Sequence, residues 1–458
     1  MNRRWWTTLN VSIGVYMSTL DASIVNISLP TITQSFNAQL KMVAWVVTAY
    51  LIVITGCLLI MGRLTDLFGQ RRIYLLGFST FTLGSGLCGL SPSIQFLIGS
   101  RILQGLGASA LMASGPAILT TAFPEERRGQ ALGIIGSVVS AGFLTGPILG
   151  GFMVEHLGWP SVFFLNLPVG LIGIFLSFKF LEETPSSGRA PLDLQGALLI
   201  FIFITSLLLF LNQVGQGANP YVWGWLLLAL VCFGLLILVE LRSTSPLVDL
   251  SLFRQKLFVA SLGTSLLSFW LSAAHAFVLP FFLQNILNYS PSKVGMLVFP
   301  VSLTVMITAP LGGRFSDRIG IRVPATAGLI LISLTIFSFS FIGVGVRDEA
   351  ILVRQVLQGL GIALFAPANN SAIIGSLPKE KVGLASSFLA LSRNLGMVIG
   401  IAFAEMIVSL STPVPSGEGI GTPSLESLQY VWKSALLIGL VAVLFSWTRR
   451  RTVVREKV

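Results

Sequence analysis

The chain contains two copies of one sequence pattern. The stretch Leu103–Gly107 reads LQGLG, and the same letters return at Leu357–Gly361, 254 positions later. Pro124 recurs as Pro378 at the same spacing. A duplicated pattern of this length predicts two pseudo-symmetric structural halves. Because the spacing of 254 exceeds half of the 458 residues, an insert of about two helices is expected between the halves.

The composition places this duplicated chain in a membrane. Hydrophobic residues make up 54% of the chain and charged residues only 10%, with a mean hydropathy of +0.85. Such a chain cannot present a solvated surface, whereas apolar stretches of roughly 18 to 25 residues can each cross a bilayer core. These stretches lie near residues 10–30, 43–61, 73–90, 95–118, 131–153, 160–181, 194–212, 222–241, 257–283, 293–311, 323–345, 350–374, 384–409 and 430–447.

The predicted fold class is therefore an all-α integral membrane protein with fourteen transmembrane helices. Residues 1–185 are expected to form an N-terminal six-helix bundle, residues 186–250 two linker transmembrane helices, and residues 251–458 a C-terminal six-helix bundle. Basic residues concentrate on alternate loops, which by the positive-inside rule predicts that both termini are cytoplasmic. We expect a multi-pass protein of the cell membrane, inner or plasma membrane, that functions as a monomer.

The charge and the cysteines exclude several other classes of protein. The net charge of +11 follows from the basic loops, so the lipid bilayer is an expected partner and nucleic acid is not. Cys57, Cys88 and Cys232 all lie in apolar stretches, and no pair has metal-ligand spacing. No glycine-rich loop followed by lysine is present to bind nucleotide phosphates. We predict no metal, no cofactor and no enzyme activity, so that any work must draw on gradients.

Ionisable residues inside the apolar stretches are costly and therefore mark candidate functional sites. Asp21 in helix 1 and Arg101 in helix 4 are expected at similar depth, so the two can pair, either as a functional pair or as a static ion pair. Arg393 and Glu405 share helix 13 but are too far apart along its axis to contact each other. Arg393 is expected near mid-depth with an anionic or carbonyl partner. Glu405 is interpreted either as an exit-side proton or cation site or as a solvated interfacial residue.

Several short motifs occur in order on these predicted helices. They are Leu20–Pro30, Trp45–Tyr50, Gly62–Arg72, Arg101–Gly107, Gly142–Gly151 and Asn166–Gly170. Together they resemble the drug:proton antiporters with fourteen spans, a family of the major facilitator superfamily. The resemblance covers the first half densely and the second half more weakly. It implies the major facilitator fold, with protons and a small amphipathic substrate as partners.

The resemblance also implies a mechanism and a coupling site. Multidrug efflux by alternating access would proceed as the two halves rock about a mid-membrane cavity. Asp21 would be neutral when substrate is bound and ionised when it faces the cytoplasm, with Arg101 favouring the ionised form in one conformation only. The proton-coupling residues are thus expected to be Asp21 and Arg101, with Arg393 and Glu405 as further candidates.

The loop between helices 2 and 3 is predicted to form a cytoplasmic gate. Its glycines permit tight turns, and its aspartate can hold a helix end or an arginine in one conformation and release it in another. Leu67 and Gln70 stand where the family usually has basic residues, so the charge network is thinner here. Alternatively, these basic loops serve topology alone. The assigned gating residues are Gly62, Asp66, Gly69, Arg71, Arg72, Asp317 and Arg318.

Two further sets of residues complete the predicted site. The helix 5 motif provides a small-residue face for close helix packing and one proline that permits a bend, and its members are Gly142, Gly146, Pro147, Gly150 and Gly151. The residues expected to line a largely apolar substrate cavity are Asn26, Trp45, Gln104, Asn166, His275, Phe281, Phe282, Gln284, Asn369 and Asn370. Among these, His275 is more simply explained as a hydrogen-bonded contact between helices than as a proton relay.

Two alternative functions stay open at this level. The same fold could move a lipid or an anionic metabolite, and Arg101 together with Arg393 would favour such a substrate. The chain could also be a membrane sensor that transports nothing, in which case the buried charges should be dispensable for any flux. The fold alone does not choose among these functions.

Overall fold

A computed structural model describes residues 3–123, 128–183, 194–213, 221–242, 250–377, 382–411 and 423–449. Almost all of these residues are helical, as the apolar stretches predict. The long helices are α1 Arg3–Phe36, α2 Leu40–Phe68, α3 Gln70–Gly89, α4 Ile94–Ala122, α5 Arg128–Leu157, α6 Asn166–Phe180, α7 Leu194–Gln213, α8 Tyr221–Arg242, α9 Lys256–Phe281, α10 Pro291–Ile319, α11 Arg322–Ser338, α12 Asp348–Gly375, α13 Val382–Ser411 and α14 Leu425–Trp447.

A long helix covers each of the fourteen predicted apolar stretches. Within the described residues, ten helices are long and apolar enough to cross a membrane, and the chain is therefore a multi-pass membrane protein. Helices α1, α3, α5 and α7 are not among these ten. In α1, polar residues such as Asp21 and Asn26 interrupt the apolar sequence.

The turn between α2 and α3 is made by one glycine rather than two. Gly69 has a φ of 92°, a backbone conformation that favours glycine, and Gly320 repeats it with 84° between α10 and α11. Gly62, predicted to form a turn, instead lies inside α2, so that prediction is wrong. A glycine inside a helix costs only about 1 kcal/mol, which the surrounding apolar helix tolerates.

The chain divides into two compact units. The first comprises Met1–Phe210, Asn219–Val248 and Ser290–Ser292, and the second comprises Leu211–Ala218, Asp249–Tyr289 and Lys293–Val458. In the first unit α1 packs on α5, and α3 packs on α4 and α6. In the second unit α9 packs on α13, and α11 packs on α12 and α14. The same helix pairings therefore recur in both units, while the division at residues 185 and 250 stays a prediction.

Candidate functional site

Asp21 and Arg101 form an ion pair inside the first unit. Asp21 lies in α1 and Arg101 in α4, and neither side chain has any exposed surface. Arg101 Nη1 lies 2.5 Å from Asp21 Oδ2. A buried ion pair is expensive to desolvate, and removal of one partner typically costs about 3 to 5 kcal/mol because the other charge is left uncompensated. Each charge therefore stabilises the other, and loss of either one would destabilise the folded protein.

The second oxygen of Asp21 is held by two amides. Gln104 Nε2 donates to Asp21 Oδ1 at 2.9 Å, and Asn166 Nδ2 donates to the same oxygen at 3.1 Å. Ser85 Oγ accepts from both amides, at 2.6 Å from Gln104 and 3.2 Å from Asn166. Because Gln104 lies in α4, Asn166 in α6 and Ser85 in α3, four helices of the first unit meet at this carboxylate.

Arg101 is also anchored by neutral groups. Its Nε donates to the Val46 carbonyl oxygen at 2.8 Å, and its Nη1 donates to Gln104 Oε1 at 2.6 Å. The guanidinium carbon lies 4.0 Å from the centroid of the Tyr50 ring, and the Tyr50 hydroxyl donates to the Ser18 carbonyl oxygen at 3.2 Å. The position of the arginine thus does not depend on the carboxylate alone.

Gln104 and Asn166, both predicted to line the substrate cavity, are buried and bind Asp21 directly. Their place in a cavity stays a prediction. The sequence carries a signal for Gln104, since it follows Arg101 by three residues and therefore lies on the same face of α4. Ser85 has no comparable signal, because a lone serine in an apolar helix is usually bonded to its own backbone. We call Asp21, Ser85, Arg101, Gln104 and Asn166 the carboxylate network.

The glycines of α5 pack against the part of α1 that carries Asp21. A Cβ atom at Gly142 would lie 2.2 Å from Thr19 Oγ1, and one at Gly146 would lie 2.4 Å from Ser23 Oγ. Neither distance is possible for a real side chain, so only glycine permits this approach of the two helices. Gly150, Pro147 and Gly151 also lie in α5. The predicted packing face thus flanks the carboxylate network on the α1 side.

In the second unit, Arg393 and Glu405 both lie on α13. Arg393 Nε lies 3.5 Å from Asn394 Oδ1, at the limit of a hydrogen bond. Glu405 has no exposed surface, and its Oε1 accepts from Ser409 Oγ at 2.8 Å. The interpretation of Glu405 as a solvated interfacial residue is therefore wrong, because its side chain is fully buried.

The aromatic residues predicted to line the cavity in the second unit are part of its core. Phe281 and Phe282 are almost fully buried, and the Phe282 ring packs against Trp432 at 5.5 Å. Trp432 Nε1 donates to His275 Nδ1 at 3.1 Å, and the His275 ring packs on Phe339 at 4.6 Å. His275 is thus a buried contact between helices. Four other predicted cavity residues are partly exposed, namely Asn26, Trp45, Gln284 and Asn370.

The predicted gate contains one arginine with clear contacts. Arg71 Nη2 donates to the Phe178 carbonyl oxygen at 2.8 Å near the end of α6, and its guanidinium lies 5.3 Å from the Phe178 ring. In the second unit Arg322 lies 4.1 Å from the Trp447 ring at the end of α14. Arg72 and Arg318 are exposed. Asp66 and Asp317 lie within α2 and α10, but their side chains are outside the described part of the chain.

Sequence reasoning missed one buried arginine. Arg449 begins a run of basic residues that is expected only to set the orientation of the chain, yet its side chain is buried. Its Nη2 donates to Thr264 Oγ1 and to Asn369 Oδ1, the latter at 2.6 Å. Asn369, predicted to line the cavity, thus binds this arginine. No sequence pattern distinguishes Arg449 from its neighbours, because its burial depends on residues that α9 and α12 bring close to it.

Two helical units with the same internal pairings, together with a buried ion pair in the first, define a helical membrane transporter. The chain belongs to the major facilitator superfamily, whose family model matches residues 11–266 and again residues 261–457. The repeated match agrees with the duplication in the sequence. Members of this superfamily are transporters, so the chain is a transporter rather than an enzyme.

Curated relatives support its drug:proton antiporter family. The chain is 36% identical to the riboflavin transporter RibZ of Clostridioides difficile, over 97% of this chain and 98% of that protein. It is also 36% identical to the multidrug resistance protein Stp of Mycobacterium tuberculosis, over 89% of this chain and 77% of that protein. A solved transporter of the POT family, in complex with 5-aminolevulinic acid, has a TM-score of 0.71 and 16% identity, with 96% of this chain and 95% of that one covered, which supports the fold.

Proposed function

We propose that this chain is a proton-coupled antiporter that exports amphipathic or lipophilic compounds from the cell. The observation that carries the proposal is the buried carboxylate of Asp21, paired with Arg101 and held by two amides. A carboxylate inside a membrane protein is a candidate proton site, because protonation removes its charge. The name of the relative Stp, a multidrug resistance protein, supports efflux of drug-like compounds.

In this proposal, Asp21 binds a proton when it loses its contact with Arg101. The ionised carboxylate is stabilised by donors on both oxygens, so proton binding must be accompanied by loss of some of these contacts. Since Asn166 and Gln104 come from different helices, their loss would free α1 from α6 and α4. Proton binding would thereby be coupled to a change in helix packing, which is the requirement for alternating access.

The test is transport by the purified full-length protein in liposomes with an imposed pH gradient. Asp21→Asn imitates the protonated carboxyl at nearly unchanged volume, and it should abolish gradient-driven efflux while downhill exchange of substrate stays measurable. Glu405→Gln makes the same chemical change at the buried carboxyl of the second unit, the other candidate for proton coupling, and it should retain gradient-driven efflux. Gradient-driven efflux at the wild-type rate by Asp21→Asn would place proton coupling elsewhere, with Glu405 next in line.

Several finer features belong to the same proposal. Both termini would be cytoplasmic, the protein would reside in the cell membrane, and a monomer would suffice for transport. The gate would include Asp66, which would bind a basic partner only while the cytoplasmic side is closed. Arg393 would provide a positive charge available to an anionic group of the substrate.

A second candidate function is transport of riboflavin. It is favoured by RibZ, which matches this chain over almost the full length of both proteins. Riboflavin combines an aromatic ring system with a polar chain, and hence is itself amphipathic. Fluorescent riboflavin and a lipophilic cation should therefore be compared in the same liposomes. Saturable, Asp21-dependent flux of riboflavin without flux of the cation would favour this second function.

A further inference from the structure

Arg449 lies just beyond the end of α14 in the second unit, and its side chain is buried. It follows α14 by two residues, yet only 2% of its surface is exposed. Its Nη2 donates to Thr264 of α9 and to Asn369 of α12. Residues from two other helices therefore close around this guanidinium, which is unusual for an arginine in a basic terminal segment.

The cluster formed by Arg449, Thr264 and Asn369 has more hydrogen-bond donors than acceptors. Asn369 Oδ1 accepts from Arg449 at 2.6 Å and from Thr264 at 3.0 Å, which fixes the orientation of the amide. Arg449 Nε, Arg449 Nη1 and Asn369 Nδ2 are buried and have no acceptor in the described part of the chain. Burial lowers the pKa of Arg449 to about 10, so the side chain is still a cation at neutral pH. A buried cation needs a counter-charge.

Described acidic side chains of the neighbouring helices lie at the opposite ends of those helices. Asp348 begins α12, about 30 Å of helix away from Asn369, and it binds Lys293 at 2.8 Å. Glu426 begins α14, and Arg449 follows the other end of the same helix. Glu405 lies near the C-terminal end of α13, whereas the chain enters α13 from α12 at its N-terminal end. These carboxylates are therefore not placed to neutralise Arg449.

We propose that Arg449 and Asn369 bind an oxyanion, a phosphate or a carboxylate, at the end of the second unit. Guanidinium and amide N–H groups are the donors that such groups prefer. The position just beyond a membrane-spanning helix lies at the level of lipid headgroups, so the anion comes either from an anionic lipid or from solution. This site is independent of the carboxylate network, because it lies in the other unit and uses none of its residues.

The test measures the thermal unfolding of the full-length protein in neutral detergent with phosphatidylcholine. Addition of phosphatidylglycerol or of inorganic phosphate should raise the Tm of the wild type by about 3 °C. The increase should be absent in Arg449→Gln and retained in Arg450→Gln, which removes the same charge from the next position. A response to phosphatidylglycerol alone identifies a lipid headgroup, and a response to phosphate identifies a soluble anion.

A second variant keeps the proposal testable if Arg449→Gln folds poorly. Asn369→Asp places a carboxylate beside the guanidinium, so it should raise the Tm without added anion and remove the response to anions. The proposal is overturned if the wild type does not respond, or if Arg449→Gln responds equally. It is also overturned if Glu380→Gln or Glu456→Gln lowers the Tm as much as Arg449→Gln, because an acid of the chain itself is then the counter-charge.

Discussion

Three side chains donate hydrogen bonds to the carboxylate of Asp21. Arg101 binds one oxygen, and Gln104 and Asn166 bind the other. Each of these donors satisfies part of the hydrogen-bonding capacity of a carboxylate that water cannot reach. The amides should therefore stabilise the buried carboxylate in addition to positioning the side chain.

Asn166→Leu should slow gradient-driven efflux and lower the Tm of the protein. The variant keeps a side chain of similar size but removes one of the donors to the buried carboxylate of Asp21. A hydrogen bond to a charged acceptor contributes about 1.5 to 3 kcal/mol. Thermal unfolding of the purified protein and initial rates of efflux in liposomes provide the measurement.

Ser85→Ala is the control for this prediction. It removes the acceptor that orients both amides but no direct donor to Asp21. Its losses of stability and of efflux should be smaller. An unchanged Tm and an unchanged efflux rate in Asn166→Leu would show that the amide only packs against α1.

At the scale of helices, α1 and α5 approach each other closely beside the carboxylate network. A Cβ atom at Gly146 would lie 2.4 Å from Ser23 Oγ and 2.7 Å from Ser23 Cβ. Gly146→Ala should therefore push α5 away from α1, with a cost of about 1 to 3 kcal/mol. We expect a lower Tm and slower efflux, measured on the purified protein.

The compensating change and a matched control make this prediction specific. Ser23→Gly removes the atoms that the new methyl group would meet, so the double variant should recover much of the lost stability. Gly62→Ala adds the same methyl group inside α2, where no heavy atom lies within 4 Å, and it should be tolerated. Equal losses in Gly146→Ala and Gly62→Ala would contradict a role for close packing of α1 and α5.

The gate is tested at the same scale by comparing its two copies. If the proposed gate is correct, Asp66→Asn should favour the inward-open state by about 1 to 3 kcal/mol, because it would remove a contact made only when the cytoplasmic side is closed. Labelling of cysteines placed along α4 and α5 from the cytoplasmic side should rise and turnover should fall. Asp317→Asn should have the smaller effect, and equal effects would show that the first copy is not the dominant latch.

Over the whole molecule, the two units share helix pairings but not chemistry. Gln355 and Gln358 stand 254 positions after Arg101 and Gln104, so the second copy lacks the arginine of the ion pair. Arg71 and Arg322, which lie in the first turns of α3 and α11, nevertheless both contact an aromatic ring near the end of another helix, α6 and α14 respectively. Duplication has thus preserved the packing at the helix ends while the buried charge network is found in the first unit.

The predicted orientation of the whole chain can be tested with reporter fusions. Basic loops on alternate sides predict a cytoplasmic reporter after Arg189 and after Arg254, and an external one near Gly217. Alkaline phosphatase is active only outside the cytoplasm and fluorescent protein only inside, so the pair gives opposite signals at each position. A cytoplasmic reporter near Gly217 would leave twelve spans and an insert that does not cross.

The sequence predicts helix positions well because the bilayer demands long apolar stretches. It also predicts the pair of Asp21 and Arg101, since both residues are costly in a membrane and lie at similar depth. It does not predict that Asn166 joins them or that Phe282 faces the core, because these outcomes depend on the rotation of each helix about its axis. The turn predicted at Gly62 was wrong because a glycine within an apolar stretch fits a helix as well as a turn.

The neutral anchors of Arg101 have a consequence for the electrical behaviour of the transporter. The Val46 carbonyl and the Tyr50 ring are uncharged partners, so their contacts with the guanidinium do not require an ionised Asp21. When Asp21 takes up a proton, the buried pair changes from neutral to a net charge of about +1, and a charge that crosses the whole membrane gains about 2.3 kcal/mol per 100 mV of membrane voltage. Movement of the proton-loaded protein should therefore be driven by voltage as well as by the pH gradient, even when the exported compound is uncharged.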